Sequence, residues 1–429
     1  MVLRLGLFLL VNVLVLGGCA RYVHRHATRF AGLGPRARRG LWALFGGGIG
    51  LMAVSRMVER WVAPGAVFPF AVAGNLVGVG LLLTTALLIV VDLAAATSAG
   101  VRKVTRALHV GASASGPVAR PVPDPDPALP AETAPDVALA ATVEKPAKAQ
   151  VSRRGFVTQA LTGSALALGG GSAVYGTFFG RHDYQLEDLV VPIPGLSRRL
   201  DGFTVVQLSD IHVGLFSGEF EARAAEDLVR RARPDLLVLT GDLIDHDPAY
   251  APALGRLVRR LSALSRHGVV VVPGNHDYYT GIDTVLGAVE SAGAVVLRNT
   301  GRVIGDAGAG FALLGVDDPS GANHEGLGPD LGAALASLPA AADLPRILLC
   351  HNPAYFTEAA GRVALQLSGH THGGQIKLGV TPASLVHPFV VGQFERSGSR
   401  LWVNRGFGTA GPPSRVGAPP EVTRIVLTG

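Results

Sequence analysis

Charge, cysteine and aromatic side chains are all scarce in this sequence. Charged residues fill 16% of its 429 positions, against roughly 25% in an ordinary soluble domain. With 48% hydrophobic residues and a mean hydropathy of +0.36, a chain that is soluble or disordered throughout is excluded. Part of it belongs in a membrane. The two cysteines, Cys19 and Cys350, lie in an apolar run and in a run of buried-strand character. A disulfide-stapled scaffold is therefore excluded as well.

A formal net charge of +6 invites a nucleic-acid partner, but the charge is in the wrong place for one. Residues 1–100 carry nine Arg against Glu59 and Asp92, a net of +7, and residues 101–184 add a further +3. Residues 185–429 hold 20 basic and 24 acidic side chains, a net of −4. The basic excess flanks apolar runs, where Arg sets membrane topology. No nucleic acid is expected as a partner.

Four runs are apolar enough to span or enter a bilayer, at residues 5–20, 40–54, 66–91 and 155–180. The third has 26 residues without a charge. Six Arg and no acid separate the first two runs, which places that loop in the cytoplasm. Arg102, Lys103 and Arg106 follow the third run, and Arg153-Arg154 precede the fourth. The expected topology is a multi-pass cell-membrane protein with four spans, its N-terminus and everything after about residue 181 outside the cytoplasm. Ser152-Arg153-Arg154-Gly155-Phe156-Val157 also resembles a twin-arginine export signal, which delivers the same topology. Leu16-Gly17-Gly18-Cys19 has the form of a lipobox, but cleavage there would export the Arg-rich loop. Residues 1–98 thus read as a transmembrane region of about three spans, and 153–181 as a fourth span or twin-arginine-like signal anchor. Between them, 99–152 is an Ala/Pro-rich linker with eight prolines from Pro117 to Pro146.

From residue 184 the texture changes. Short, near-continuous apolar runs at 203–208, 236–239, 269–272, 311–314 and 347–349 suit strands buried on both faces. Helical patterns intervene at 219–232, 249–266 and 281–292. That alternation, followed by a strand-rich end, predicts a layered α/β sandwich over 184–429.

Acidic and His residues fall where those strands stop, the usual place for a site in α/β folds. Asp210-Ile211-His212 follows the first run; positions i and i+2 of an extended segment point the same way, so carboxylate and imidazole can reach one ion. Gly241-Asp242-Leu243-Ile244-Asp245 follows the second. Gly274-Asn275-His276-Asp277 follows the third and adds a neutral carbonyl oxygen and a proton-handling imidazole. His351 closes the 346–350 strand, and Gly369-His370-Thr371-His372-Gly373-Gly374 supplies two more imidazoles among glycines. Taken singly, each also fits a turn, a cap or a satisfied core histidine. Their number and common placement point instead to a mixed N/O transition-metal site.

The pattern D-x-H, G-D-x-x-D, G-N-H-[DE], a lone H, then G-H-x-H resembles the calcineurin-like metallophosphoesterase superfamily over roughly 200–375. The resemblance implies an α/β fold, a layered β-sandwich flanked by helices, here preceded by the transmembrane helical region. It implies two divalent metal ions (Mn, Fe or Zn), one held by Asp210, His212, Asp242 and His372 and the other by Asp242, Asn275, His351 and His370. Asn404-Arg405-Gly406-Phe407-Gly408-Thr409 and Gly411-Pro412-Pro413-Ser414-Arg415 look like the membrane-anchored branch with a twin-arginine-like segment.

The implied activity is hydrolysis of a phosphoester, a phosphodiester or pyrophosphate bond rather than a monoester, by attack of a metal-bridging hydroxide on a lipid-linked or envelope phosphate. His276 would protonate the leaving oxygen, oriented by Asp277. Asp245 is expected to support the ligands by hydrogen bonding, and Asp317-Asp318 to form a turn. His246, His267, His324 and His387 match no ligand position and read as surface or structural. Two alternatives compete. One is cleavage of UDP-2,3-diacylglucosamine, which the extracytoplasmic topology disfavours. The other is a membrane protein that binds metal or ligand without turnover, which the intact ligand pattern disfavours.

Overall fold

The computed structural model describes residues 2–59, 61–112, 153–306, 309–339, 344–377, 379 and 381–429. The linker, from 113 to 152, lies outside the described residues, as does Ser152 of the twin-arginine-like segment.

Four long helices come first: α1 (Val2–Phe30), α2 (Pro35–Val58), α3 (Pro64–Ala112) and α4 (Arg153–Phe178). Each covers one of the four apolar runs, and α3 continues through Ala112, past the expected start of the linker. Among the described residues two helices are long and apolar enough to cross a membrane: α2, and α3 over Pro64–Ser98. Neither α1 nor α4, expected as the first and fourth spans, is among them; glycine, serine and threonine dilute the apolar character of α4. Small residues let these helices pack closely. A Cβ on Gly74 of α3 would lie 2.3 Å from the Met52 backbone nitrogen of α2, so the two helices meet at backbone contact.

Twelve strands follow among the described residues: β1 (Gln185–Pro192), β2 (Thr204–Leu208), β3 (Leu236–Thr240), β4 (Val269–Val272), β5 (Val295–Val296), β6 (Thr300–Ile304), β7 (Phe311–Gly315), β8 (Arg346–Leu349), β9 (Leu365–Ser368), β10 (Gly392–Arg396), β11 (Ser399–Val403) and β12 (Glu421–Thr428). They form two six-stranded sheets, ordered β1-β12-β2-β3-β4-β5 and β10-β11-β9-β8-β7-β6. The inner faces meet through Val205, Val270, Val272, Phe311, Ile347 and Leu367. Helices α5 (Glu219–Ala232), α6 (Ala251–Ser262) and, beyond the short α7 (Asn275–Thr280), α8 (Ile282–Glu290) cover the outer face of the first sheet. Short helices at Leu331–Ala336 and Phe356–Ala359 cover the second. Val269–Val272 and Leu236–Thr240 are buried along their whole length because both faces of each strand are covered. The result is the layered α/β sandwich expected from the sequence.

β2, β3 and β4 run parallel in one sheet, and β8 and β9 in the other. Their C-terminal ends converge at one edge of the sandwich, and each of the five ligand motifs leaves from one of those ends.

Candidate metal centre

Backbone hydrogen bonds latch the strand-end loops to one another. Asp210 N donates to Gly241 O at 3.0 Å and His212 N to Asp242 O at 3.0 Å. Within the second sheet Gly369 N donates to His351 O at 3.0 Å, and across the two sheets Gly408 N donates to Asp210 O at 2.7 Å. Under this constraint Asp210, His212, Asp242, His370 and His372 all take positive φ, between 47° and 75°. Each such residue costs on the order of 1–2 kcal/mol, so the loops are held against their local preference. Gly369 serves a close approach: a Cβ there would lie 2.0 Å from Ser209 Oγ and 2.2 Å from Asp210 Oδ2.

The side chains fall into two groups sharing Asp242. In the first, His212 Nε2 and His372 Nε2 are 3.0 Å apart, His372 Nε2 is 3.3 Å from Asp210 Oδ1, and His212 Nε2 is 3.7 Å from Asp242 Oδ2. In the second, His351 Nε2 is 3.3 Å from the same Asp242 Oδ2, while Asn275 Oδ1 faces His370 Nδ1 at 2.8 Å and His351 Nε2 at 3.3 Å. Asp242 Oδ2 therefore stands between the groups, and its Oδ1 accepts from the backbone N–H of His276 at 2.8 Å. The structure brings together all seven residues expected as ligands.

The donor chemistry fits cations at both positions. His351 Nδ1 faces the Thr240 carbonyl at 2.8 Å; a carbonyl only accepts, so the proton is on Nδ1 and Nε2 turns toward the carboxylate and amide oxygens. Burial, with the charge of His351 beside it, holds His370 down to about 3. Burial, then His212 and Arg415, hold His372 well below the usual histidine range. Both rings stay neutral, the charge state in which imidazole binds a metal. Burial opposes ionisation of Asp242, but His351 and the other imidazoles outweigh it and keep the carboxyl well below its ordinary value. His212 Nδ1 is buried without a hydrogen-bond partner, 3.6 Å from Asp245 Oδ1.

His276 and Asp277 part company. The His276 ring is only partly buried, and its Nδ1 lies 2.6 Å from the backbone carbonyl of Asp245. That carbonyl fixes the proton on Nδ1 and leaves Nε2 for chemistry. Asp277 does not orient the ring, contrary to the expectation from adjacency. Its carboxylate accepts from the N–H groups of Leu243 and Gly274, each at 2.8 Å, tying the Asp242 loop to the Asn275 turn. Burial and the neighbouring Asp242 raise its pKa to about 7. Asp245 supports the centre as expected, facing His212, and its Oδ2 lies 2.7 Å from His246 Nδ1. Asp318 sits in a turn, its Oδ1 accepting from Ser320 N at 2.8 Å.

Two contributors had no assigned role in the sequence. Arg415 is fully buried, its guanidinium donating to the carbonyls of Gly408, Arg405 and Ala418 and lying 3.1 Å from His372 Nδ1. Glu59, just past the end of α2, places Oε1 2.5 Å from His246 Nε2 and 3.6 Å from Arg56. Arg415 lies in the Gly/Pro stretch noted above; Glu59 had no signal beyond being an acid in an acid-poor region.

Residues 203–374 match the calcineurin-like phosphoesterase family. The uncharacterized metallophosphoesterase YkuE of Bacillus subtilis is 31% identical over 290 residues, which cover 65% of this chain and 98% of that protein. An uncharacterized metallophosphoesterase of Aquifex aeolicus is 32% identical over 52% of this chain and 85% of its own length. A transmembrane protein with metallophosphoesterase domain from Danio rerio is 31% identical over 59% of this chain, which spans 60% of that protein.

Proposed function

Because this chain belongs to the calcineurin-like phosphoesterase family, we propose that it is a membrane-anchored hydrolase of phosphodiester or pyrophosphate bonds that works with two divalent cations. The single observation that carries this is the pair of donor groups meeting at Asp242 Oδ2. Asp210, His212, Asp242 and His372 would hold one ion, and Asp242, Asn275, His351 and His370 the other. Such a pair, when bound, lowers the pKa of water and neutralises phosphoryl oxygens.

The chain's own residues supply position and proton. His276, with Nδ1 fixed on the Asp245 carbonyl, presents Nε2 to the leaving oxygen and donates to it when the ring is protonated. Asp277 holds the turn that carries His276, rather than the ring itself. The charge balance favours a diester over a monoester. Among the described residues the one guanidinium touching the ligand side chains is Arg415, and its donors are engaged by backbone carbonyls and His372. The anchor rests on the two apolar helices α2 and α3, and the catalytic domain lies outside the cytoplasm by the positive-inside rule only if α4 crosses as well.

The test uses the full chain in detergent, chelated and then restored with Mn²⁺, Zn²⁺ or Fe²⁺, on bis-p-nitrophenyl phosphate and p-nitrophenyl phosphate. Metal-dependent turnover favouring the diester is expected. His276→Ala should lower it by about 10²- to 10⁴-fold with metal content nearly unchanged. A metal-loaded chain silent on both compounds would overturn the assignment in favour of binding without turnover.

A further inference from the structure

A cavity of about 160 Å³ lies where the helical bundle meets the catalytic domain. Its walls are mostly apolar side chains of the bundle, among them Leu16, Met52, Ala71 and Leu82. From Ala71 to Leu82 it follows α3 for about 16 Å at 1.5 Å per residue. Leu82 is 46% exposed and lies within the stretch of α3 that qualifies as a membrane span, so that end opens toward hydrocarbon.

Arg56 and Glu59 are the charged side chains in its wall. Glu59 contacts His246, His246 contacts Asp245, and Asp245 faces His212 of the first ligand group at 3.6 Å. The catalytic domain contributes Leu215 and Phe216, which follow His212 in the chain and pack on Val67 and Ala71 of α3. The cavity is therefore apolar at its membrane mouth and charged at Arg56 and Glu59, from which His246 and Asp245 lead to His212.

We infer that this cavity seats a hydrocarbon chain of the substrate, and that the substrate class is a membrane lipid whose phosphoester is presented to the metal centre; the inference rests on the phosphoesterase function proposed above. A dry apolar cavity of 150 Å³ takes a benzene-sized guest, so the enclosed part holds a segment of a chain while the rest runs out past Leu82 into the bilayer. A water-soluble phosphodiester would leave these walls without a partner. A lipid fills them, and its polar end falls beside Arg56 and Glu59.

The test labels the full chain, metal-free and in detergent micelles, with a phosphatidylglycerol carrying a diazirine in its acyl chain. Labelling is expected on α2 and α3 peptides that contain Met52, Gly78 or Leu82. Leu82→Trp, which blocks the mouth from an exposed position, and Gly78→Leu, which fills the wall, should each cut it at least fivefold. Leu93→Trp, an exposed position of α3 outside the cavity, should not. With metals restored, the ratio of kcat/KM for a dioleoyl phosphodiester to that for bis-p-nitrophenyl phosphate should fall at least tenfold in both cavity variants. Labelling elsewhere, or labelling and ratio that ignore both variants, overturns the lipid assignment. Absence of aryl-diester turnover in the metal-loaded wild type instead overturns the phosphoesterase function, whatever the labelling shows.

Discussion

Glu59→Gln tests whether the helical bundle shapes the electrostatics beside the metal centre. His246 stands between two carboxylates, with Nε2 2.5 Å from Glu59 Oε1 and Nδ1 2.7 Å from Asp245 Oδ2. Ionised carboxylates only accept, so both ring nitrogens carry protons and the ring is a cation. Burial alone would push its pKa down. The hydrogen bonds to Asp245 and Glu59 outweigh burial and the opposing charge of Arg56, and raise it from 6.5 to about 9. At 1.36 kcal/mol per pH unit the difference is worth roughly 3 kcal/mol to the folded state. Removing one of the two carboxylates forfeits about half of it, roughly 1.5 kcal/mol. A raised folded-state pKa favours the protonated ring. The contribution is therefore complete below about pH 6.5 and is lost as the pH rises through about 9. For a chain of 429 residues the variant should melt about 2 °C lower at pH 6, with the gap closing toward pH 10. Fluorescence-detected melting of wild type and variant in detergent, side by side across that range, measures it. A gap independent of pH, or one that widens as pH rises, would refute the assignment of His246 as a cation held by Glu59.

Asp242→Asn removes the carboxylate shared by both groups, so metal content by mass spectrometry should fall by at least half; wild-type content would contradict the shared position. Gly369→Ala forces a Cβ to within 2.2 Å of Asp210 Oδ2. It should weaken Mn²⁺ binding at least tenfold while the chain still melts cooperatively, and unchanged affinity would count against Asp210 as a ligand. Metal at about a hundred times its dissociation constant should stabilise the folded chain by about 2.7 kcal/mol. That would appear as a rise in Tm reversed by a chelator, and no rise would contradict a buried cation site. A fragment of residues 184–429 loses α4, whose Gly176 carbonyl accepts from Arg415 N at 3.0 Å, and α3, on which Leu215 and Phe216 pack. Its metal-dependent turnover should be at least tenfold below that of the full chain, and equal turnover would show that the bundle is only an anchor.

The ligand motifs were legible because each leaves the end of a buried strand, and a run such as Val269–Val272 followed by Pro-Gly-Asn-His announces both the strand and where it stops. Periodicity carried the layered sandwich for the same reason. The partner of the His276 ring was not legible: it is a backbone carbonyl, that of Asp245, and a carbonyl has no residue signature. Adjacency pointed to Asp277, but the first turn of α7 carries its carboxylate to the N–H groups of Gly274 and Leu243 instead. His246 read as surface or structural because its partner Glu59 lies 187 residues away, across the junction between bundle and domain. The helix contacts were not legible either: small residues of α4, expected as a fourth span or signal anchor, serve close packing, with a Cβ on Gly169 only 2.6 Å from Thr84 Cα of α3.

The bundle reaches the metal centre by two routes, and both end on the same ligand group. One runs from Glu59 through His246 and Asp245 to His212. The other runs from α4 through the backbone of Arg415 to His372. A buried guanidinium beside a cation site looks self-defeating until its geometry is considered. Arg415 spends its donors on three backbone carbonyls, which offset its charge. It also meets His372 at Nδ1 with an N–H and cannot accept a proton there. With Nδ1 accepting from Arg415, the neutral His372 ring carries its one proton on Nε2, the atom facing Asp210 and His212, so a metal binding there must shift either that proton or the Arg415 contact. The second group, anchored on Thr240 O through His351 and on Asn275 through His370, belongs to the sandwich alone. An ion that Asp210, His212, Asp242 and His372 would hold is thus the one whose affinity answers to how the helices are seated. Variants at Glu59 or at the α4–Arg415 contact should deplete that ion before the other.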